Sequence, residues 1–157
     1  MNESDLKHLK AAIEVAANAR AHGNHPFGAL LVDENDQVLL QAENTVVTGN
    51  DCTGHAETNL MRLASGQFSS EKLALCTLYT STEPCAMCAG AIHWGNVQRV
   101  VYALGEAALY EIVGPSPEHL MLPSREVFAR TQRTVEVEGP ASELDAEARA
   151  VHDGFWK

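Results

Sequence analysis

The fold is decided by two segments of the sequence. They are Pro84-Cys85-Ala86-Met87-Cys88 and, upstream of it, His55-Ala56-Glu57. Pro84 suits the first turn of a helix, and two cysteines three residues apart at a helix start can face the same side. A helix N-terminus favours a thiolate over a thiol, and it disfavours a charged imidazole at His55, where a second helix begins. The two segments therefore predict two helices whose first turns present metal-binding side chains.

The types of these side chains predict a zinc site. His55, Cys85 and Cys88 are three nitrogen and sulfur ligands, the set that holds catalytic Zn²⁺ with a fourth position open to water or hydroxide. We expect one zinc ion per chain. Its charge would make bound water acidic enough to supply hydroxide near neutral pH. Glu57 is not needed as a ligand, so we predict that it is the catalytic group that carries protons.

Two other interpretations of the cysteines remain open. A Cys-x-x-Cys pair also occurs in redox proteins, although His55 and Glu57 would then have no role. A purely structural zinc would need a fourth ligand, for which Cys52, Cys76 or His93 is available. In that case the chain would be a zinc-stabilised binding domain and not an enzyme.

Hydrophobic periodicity and turn residues divide the rest of the chain into helices and strands. The spacing predicts strands over residues 27–32, 38–42, 75–80, 97–103 and 134–138. It predicts helices over residues 5–22, 55–64, 84–94, 106–112 and 143–156. Gly114 and the prolines that follow it predict an irregular segment up to Pro123. This order predicts a single-domain α/β/α sandwich over residues 1–157, with a five-stranded mixed sheet flanked by helices and a strand order that the pattern does not determine.

Composition limits the partners of the chain. Its 157 residues are 45% hydrophobic and 20% charged, which is ordinary for one globular domain. No apolar run approaches the ~20 residues that span a bilayer, and the acidic start lacks the apolar stretch of a signal peptide, so we expect a cytoplasmic protein without membrane contact. The net charge of −10 disfavours nucleic acid, which is bound through Lys and Arg contacts to phosphate. A small neutral substrate is the better expectation.

Several separated blocks of sequence resemble one known superfamily. They lie between residues 5 and 112, at His25–Ala29, Ala42–Asn44, Asp51–Glu57, Thr82–His93 and Arg99–Tyr102. On these blocks the chain is similar to the cytidine deaminase-like superfamily, most of all to the guanine and guanosine deaminases and slightly less to the tRNA adenosine deaminases. The resemblance implies the cytidine deaminase-like sheet, zinc held between two helix N-termini, and a homodimer.

The resemblance also implies a reaction, which is zinc-dependent hydrolytic deamination. Hydroxide attacks an amidine-like ring carbon, and ammonia leaves. The implied substrate is a purine-like base or its nucleoside, with guanine as the first choice. Another small aminated heterocycle, such as cytosine or a triazine-like ring, is the alternative. Adenosine in tRNA is a further alternative, which the net charge disfavours.

The same resemblance assigns three residues to substrate binding. Asn44 matches the family's asparagine that hydrogen-bonds the base, and Phe27 matches the aromatic residue that stacks on it. The backbone of Ala56 would contact the substrate beside Glu57. From local sequence alone, Asn44 is a loop residue at the end of a strand and Phe27 is a core residue.

The chain departs from the family pattern at two places near the site. Guanine deaminases carry a Gly-Phe-Asp-Asp-like segment whose acid assists proton transfer, and this chain has Gly114-Pro115-Ser116-Pro117 there. Glu111 and Glu118 are the candidates to replace that acid and to reach the substrate. The Val or Ile that usually follows the catalytic glutamate is Thr58 here.

The end of the chain offers an aromatic tail. Guanine deaminases use such a tail to close the pocket, and Phe155 or Trp156 would do so here. We therefore include Trp156 among the predicted substrate-binding residues. Packing of an amphipathic helix end on the core is the simpler account of both aromatic residues.

Overall fold

Five strands form one mixed sheet. A computed structural model describes residues 1–157, and its sheet has the strand order β2-β1-β3-β4-β5. The strands are β1 Gly28–Val32, β2 Val38–Glu43, β3 Thr77–Thr82, β4 Arg99–Leu104 and β5 Glu136–Glu138. β1 runs antiparallel to β2 and β3, whereas β3, β4 and β5 are parallel. The predicted five-stranded mixed sheet is confirmed.

Helices cover both faces of this sheet. They are α1 Glu3–Ala21, α2 Ala56–Gln67, α3 Ser70–Leu73, α4 Ala86–Gly95, α5 Glu106–Val113, α6 Ser124–Phe128 and α7 Asp145–Ala150. Successive residues of β4 point to opposite faces, so Val100 packs with α2 and α4 while Val101 packs with α1 and α7. The result is the predicted α/β/α arrangement in a single small domain. None of the helices is both long and apolar enough to cross a membrane.

The start of β1 shows how closely α1 approaches the sheet. A side chain at Gly28 would place its Cβ 2.6 Å from both the carbonyl oxygen of Ala12 and the amide nitrogen of Ala16. Only glycine fits there, since real Cβ atoms do not come so near to backbone atoms. This close packing fixes the position of Phe27, the residue immediately before the strand.

Two predicted elements have different bounds in the structure. The third strand, predicted over 75–80, is shifted to Thr77–Thr82, because Leu75 is exposed in the turn before it. The last helix ends at Ala150, and Gly154 has a φ of +70°, a left-handed conformation that ends helical geometry. The short helices α3 and α6 were not predicted. All other predicted elements agree with the structure to within three residues at each end.

Candidate active site

The first turns of α2 and α4 bring the predicted metal ligands together. His55 is the N-cap of α2, Cys85 is the N-cap of α4, and Cys88 lies one turn further along α4. The two helices pack side by side, so all three ligand atoms lie within 4.8 Å of one another. The Cys85 Sγ and His55 Nδ1 atoms are 3.5 Å apart. Tetrahedral zinc with ordinary bond lengths places such atoms about 3.6 Å apart, so the donor set fits zinc.

Hydrogen bonds among His55, Cys85 and Cys88 hold protons that must leave when zinc binds. A hydrogen bond from Cys88 lowers the pKa of Cys85, with a further contribution from His55, and the same thiol pair raises the pKa of Cys88. The hydrogen bond to Cys85 raises the pKa of His55. The N-terminus of α2 acts in the opposite direction, since it disfavours a charged imidazole. Zinc binding therefore releases protons, because only the deprotonated forms are ligands.

Glu57 lies beside the ligands and is almost completely buried. Its side chain is 5% exposed, and its Oε1 atom accepts a hydrogen bond from the Thr80 hydroxyl on β3. Burial raises the pKa of Glu57, and the Thr80 hydrogen bond only partly opposes that effect. A carboxyl group with a raised pKa can both take up and return a proton near neutral pH, which general acid–base catalysis requires. The geometry is that of a proton carrier held outside the metal's ligand set.

Asn44 and Phe27 are neighbours at the end of the hairpin formed by β1 and β2. The Asn44 amide donates to the Phe27 carbonyl over 3.1 Å. The side-chain Oδ1 of Asn44 accepts from the Val46 amide over 3.0 Å, whereas its Nδ2 donates to no group of the chain. Phe27 packs against the apolar cluster that contains Ala56. An uncommitted amide donor and an aromatic face thus lie together near the start of α2.

The aromatic tail reaches Phe27. The ring centroid of Trp156 lies 6.0 Å from that of Phe27 and 5.2 Å from that of His25. Its Nε1–H donates to Nδ1 of the buried His152 over 3.0 Å. Phe155 packs edge-on against His25 with 5.7 Å between centroids. Phe155 and Trp156 follow the last helix and are not part of its end, and they pack on His25 and Phe27.

The two predicted acids are placed differently from Glu57. Glu111 and Glu118 are both exposed, and no hydrogen bond connects either carboxylate to the ligands. Glu118 nevertheless lies near enough to His25 for its charge to act on the pKa of that imidazole. A third acid, Glu106, has a buried Oε1 atom without a hydrogen-bond partner, and burial raises its pKa.

Sequence reasoning missed several residues at this site. Besides Glu106, they are His25, Thr80 and His152. His25 lies inside one of the resemblance blocks, so its position two residues before Phe27 was a usable indication. No local sequence pattern indicated Thr80 or His152. The contact of Thr80 with Glu57 and that of His152 with Phe27 each join segments that are far apart in the chain.

Comparison with known proteins agrees with this geometry. Residues 2–104 match the family described as the cytidine and deoxycytidylate deaminase zinc-binding region. The chain belongs to this family. It is therefore a zinc-binding, hydrolytic deaminase domain, and the redox and non-enzymatic interpretations of the cysteines are set aside.

Relatives of this deaminase differ in their substrates. A probable cytosine deaminase of Schizosaccharomyces pombe is 42% identical over 158 residues, which cover 99% of this chain and 94% of the relative. A guanine deaminase of Bacillus subtilis is 41% identical over 96 residues, covering 60% of this chain and 61% of the relative. A solved guanine deaminase structure from Nitrosomonas europaea has a TM-score of 0.73 and 25% identity, and the match covers 92% of this chain and 82% of that one.

Proposed function

We propose that this deaminase removes the amino group of a free, small aminated base, with cytosine as the first candidate. The observation that carries the reaction is a buried carboxyl group, Glu57, beside three clustered zinc ligands. Water adds to the ring carbon that bears the amino group, the carbon–nitrogen bond breaks, and ammonia leaves.

The residues of the chain handle the protons of this reaction. Zinc, when bound by His55, Cys85 and Cys88, supplies a Lewis acid that activates water. An oxygen of Glu57 takes a proton from the attacking water and gives it to a ring nitrogen. It then takes the second proton from the hydroxyl group that the water has become on the ring carbon and gives it to the departing amine, so that a ring carbonyl and ammonia form. The Thr80 hydroxyl holds Oε1 of Glu57, so it orients the carboxyl group for both transfers.

The same site offers groups that would orient a flat ring. The free Nδ2 of Asn44 can donate to a ring carbonyl or ring nitrogen, and the Phe27 ring supplies a stacking face. The amide of Ala56 lies at the start of α2, where backbone N–H groups have no helical partner. These contacts suit a planar heterocycle that has a ring nitrogen next to the reacting carbon and also carries a ring carbonyl.

The tail favours a free base over larger substrates. Trp156 packs on Phe27 and Phe155 packs on His25, so two rings from the chain end lie against the proposed stacking residue and its near neighbour. A ribose or a tRNA strand would have to displace these contacts. The net charge of −10 also opposes the phosphate contacts that tRNA needs.

Cytosine comes before guanine because of how much of the chain each relationship covers. The similarity to the S. pombe cytosine deaminase includes 99% of this chain, and hence the tail, whereas the similarity to the B. subtilis guanine deaminase includes 60%. Guanine stays the second candidate, since solved guanine deaminases share the fold. The sequence blocks alone suggest guanine first. The similarity to the S. pombe relative, which includes the tail, is the reason for placing cytosine before guanine.

Ammonia release from a panel of bases and nucleosides tests the proposal. The zinc-loaded protein should deaminate cytosine fastest, and Glu57→Gln should keep its zinc and fold while ammonia release falls at least about a thousandfold, since general acid–base transfer is lost at every step. Glu71→Gln, the same change at an exposed residue of α3, is the matched control and should keep full ammonia release. Full turnover by Glu57→Gln would contradict the mechanism, and turnover of guanine alone would overturn the choice of substrate.

We also propose that the protein forms a homodimer through α2 and α4. Trp94 is 83% exposed at the end of α4, beside a groove lined by residues of both helices. An exposed tryptophan over an apolar groove is typical of an interface centre. Sedimentation should show a dimer that Trp94→Glu converts to a monomer, while Met121→Glu, which is also at an exposed residue, should leave it unchanged. A monomeric parent protein would contradict the proposal.

A further inference from the structure

Thr58 contacts a predicted zinc ligand directly. Its Oγ1 atom lies 3.2 Å from the Sγ atom of Cys88, within hydrogen-bonding distance for sulfur. Thr58 follows Glu57 in the first turn of α2, and Cys88 lies in the facing turn of α4. The contact exists because this chain has a hydroxyl where the resembled family usually has the methyl groups of Val or Ile.

The direction of this hydrogen bond follows from the chemistry of zinc ligation. A cysteine binds zinc as a thiolate, so neither Cys88 nor Cys85 has a proton to donate when the metal is present. Cys88 is fully buried, so water cannot reach its sulfur in place of a side chain. The hydrogen between the two atoms must then belong to Thr58.

We propose that the Thr58 hydroxyl donates to the Cys88 thiolate and so positions and tunes the zinc ligand. The hydrogen bond holds the sulfur at one orientation toward the metal and draws electron density from it. Zinc then receives less charge from Cys88 and is the stronger Lewis acid. Groups that hydrogen-bond to metal ligands commonly affect metal affinity as well as activity.

Cobalt and zinc titrations of the whole chain test this proposal without any turnover. In the Co²⁺-loaded protein, Thr58→Val should move the sulfur-to-cobalt charge-transfer band to longer wavelength, because a thiolate without its hydrogen bond gives up electrons more readily. Competition with a chelator should show that zinc affinity falls about tenfold in this variant, because the Cys88 sulfur loses the contact that orients it toward the metal, and this loss outweighs its stronger electron donation. Valine has nearly the same shape as threonine, so packing is preserved.

Two further variants make the test specific. Thr58→Ser retains a hydroxyl, so it should keep both the band position and the zinc affinity of the parent protein. Ser65→Ala removes an exposed hydroxyl from the same helix and should change neither. Equal bands and affinities in Thr58→Val and the parent protein would overturn the proposal, as would a parent protein that binds no cobalt.

The proposal is independent of the choice of substrate. Zinc-loaded protein that deaminates none of the bases would defeat the proposed function while the Thr58 effect on band and affinity remained. Conversely, deamination of cytosine with identical metal binding in all Thr58 variants would defeat this proposal alone. The two failures are therefore distinguishable.

Discussion

Residues 2–104 and residues 105–157 contribute to the site in different ways. The first region matches the deaminase family and places His55, Glu57, Cys85 and Cys88 on the first turns of two helices that the sheet holds in place. The second region lies outside that match, and its Trp156 ring packs on Phe27. We propose that the first region supplies the chemistry and that the second region determines the fit of the substrate.

Glu83 connects the two regions. It lies two residues before Cys85, and its Oε1 accepts from the Glu106 amide at the start of α5 over 3.0 Å. Its Oε2 accepts from both the amide and the hydroxyl of Ser124, at the start of α6, over 2.9 and 2.8 Å. The Glu83 carboxylate therefore connects the segment before Cys85 with the first turns of α5 and α6 in the second region.

The largest expected effect comes from removing a ligand in the first region. Cys88→Ser should lose its zinc and at least about a thousandfold of its ammonia release, because water without the metal keeps a pKa of about 15.7. Metal analysis and an ammonia assay measure both. Cys52→Ser changes an exposed cysteine and should alter neither, so equal losses in the two variants would show that Cys88 has no special role.

Cutting the connection between the regions should have the next largest effect. Glu83→Ala leaves the Glu106 and Ser124 amides without their acceptor, so the free energy of unfolding should fall by about 3 kcal/mol, as for lost hydrogen bonds to a charged group. Urea denaturation of the zinc-loaded protein measures it. Glu126→Ala, at an exposed site on α6, should cost less than about 0.5 kcal/mol. Similar costs in both variants would mean that the regions are joined elsewhere.

A third effect is a loss of stability at low pH, which arises from His152 in the second region. Burial, together with the charge of Arg20, lowers the pKa of His152 to about 4. The unfolded chain keeps the ordinary value near 6.5, so it binds more protons and stability is lost as the pH falls from about 6.5 towards 4. The loss between pH 7 and pH 5 should be about 2 kcal/mol.

Denaturation as a function of pH tests the assignment to His152. His152→Asn should flatten the stability profile between pH 7 and 5 and leave the loss at lower pH. Asp5 contributes to that lower loss, because burial would raise its pKa but hydrogen bonds from Arg99 and Tyr79 lower it to about 2. An unchanged profile in His152→Asn would contradict the assignment.

The smallest expected effect is on the tail itself. Trp156→Ala should reduce kcat/KM about tenfold, because a poorly covered site orients its substrate less well, while zinc content stays the same. Steady-state kinetics on the best substrate measures it. Trp156→Phe keeps a ring on Phe27 but loses the donor to His152, so it should lie between the parent protein and Trp156→Ala. A Trp156→Ala variant with unchanged kinetics would show that the tail does not cover the substrate.

The same two regions differ in how well the sequence predicted them. The zinc ligands and Glu57 occupy helix starts, and their spacing along the chain determines the side that they face, so local pattern was enough. The hydroxyl of Thr80 reaches Glu57 only because α2 packs on β3, which no local pattern encodes. Trp156 was predicted in the last helix, but that helix ends at Ala150, and turns that follow it bring Trp156 to Phe27. Contacts between distant segments were the ones that the sequence did not predict.

The position of the zinc site between α2 and α4 has a consequence for the lifetime of the protein. His55, Cys85 and Cys88 come together only when α2 and α4 pack, so the complete zinc site exists only in the folded chain. Zinc that binds only the folded chain adds stability in proportion to the logarithm of the free metal concentration. Chains made during zinc shortage would open more often and be degraded sooner, so metal supply would set the amount of protein as well as its activity.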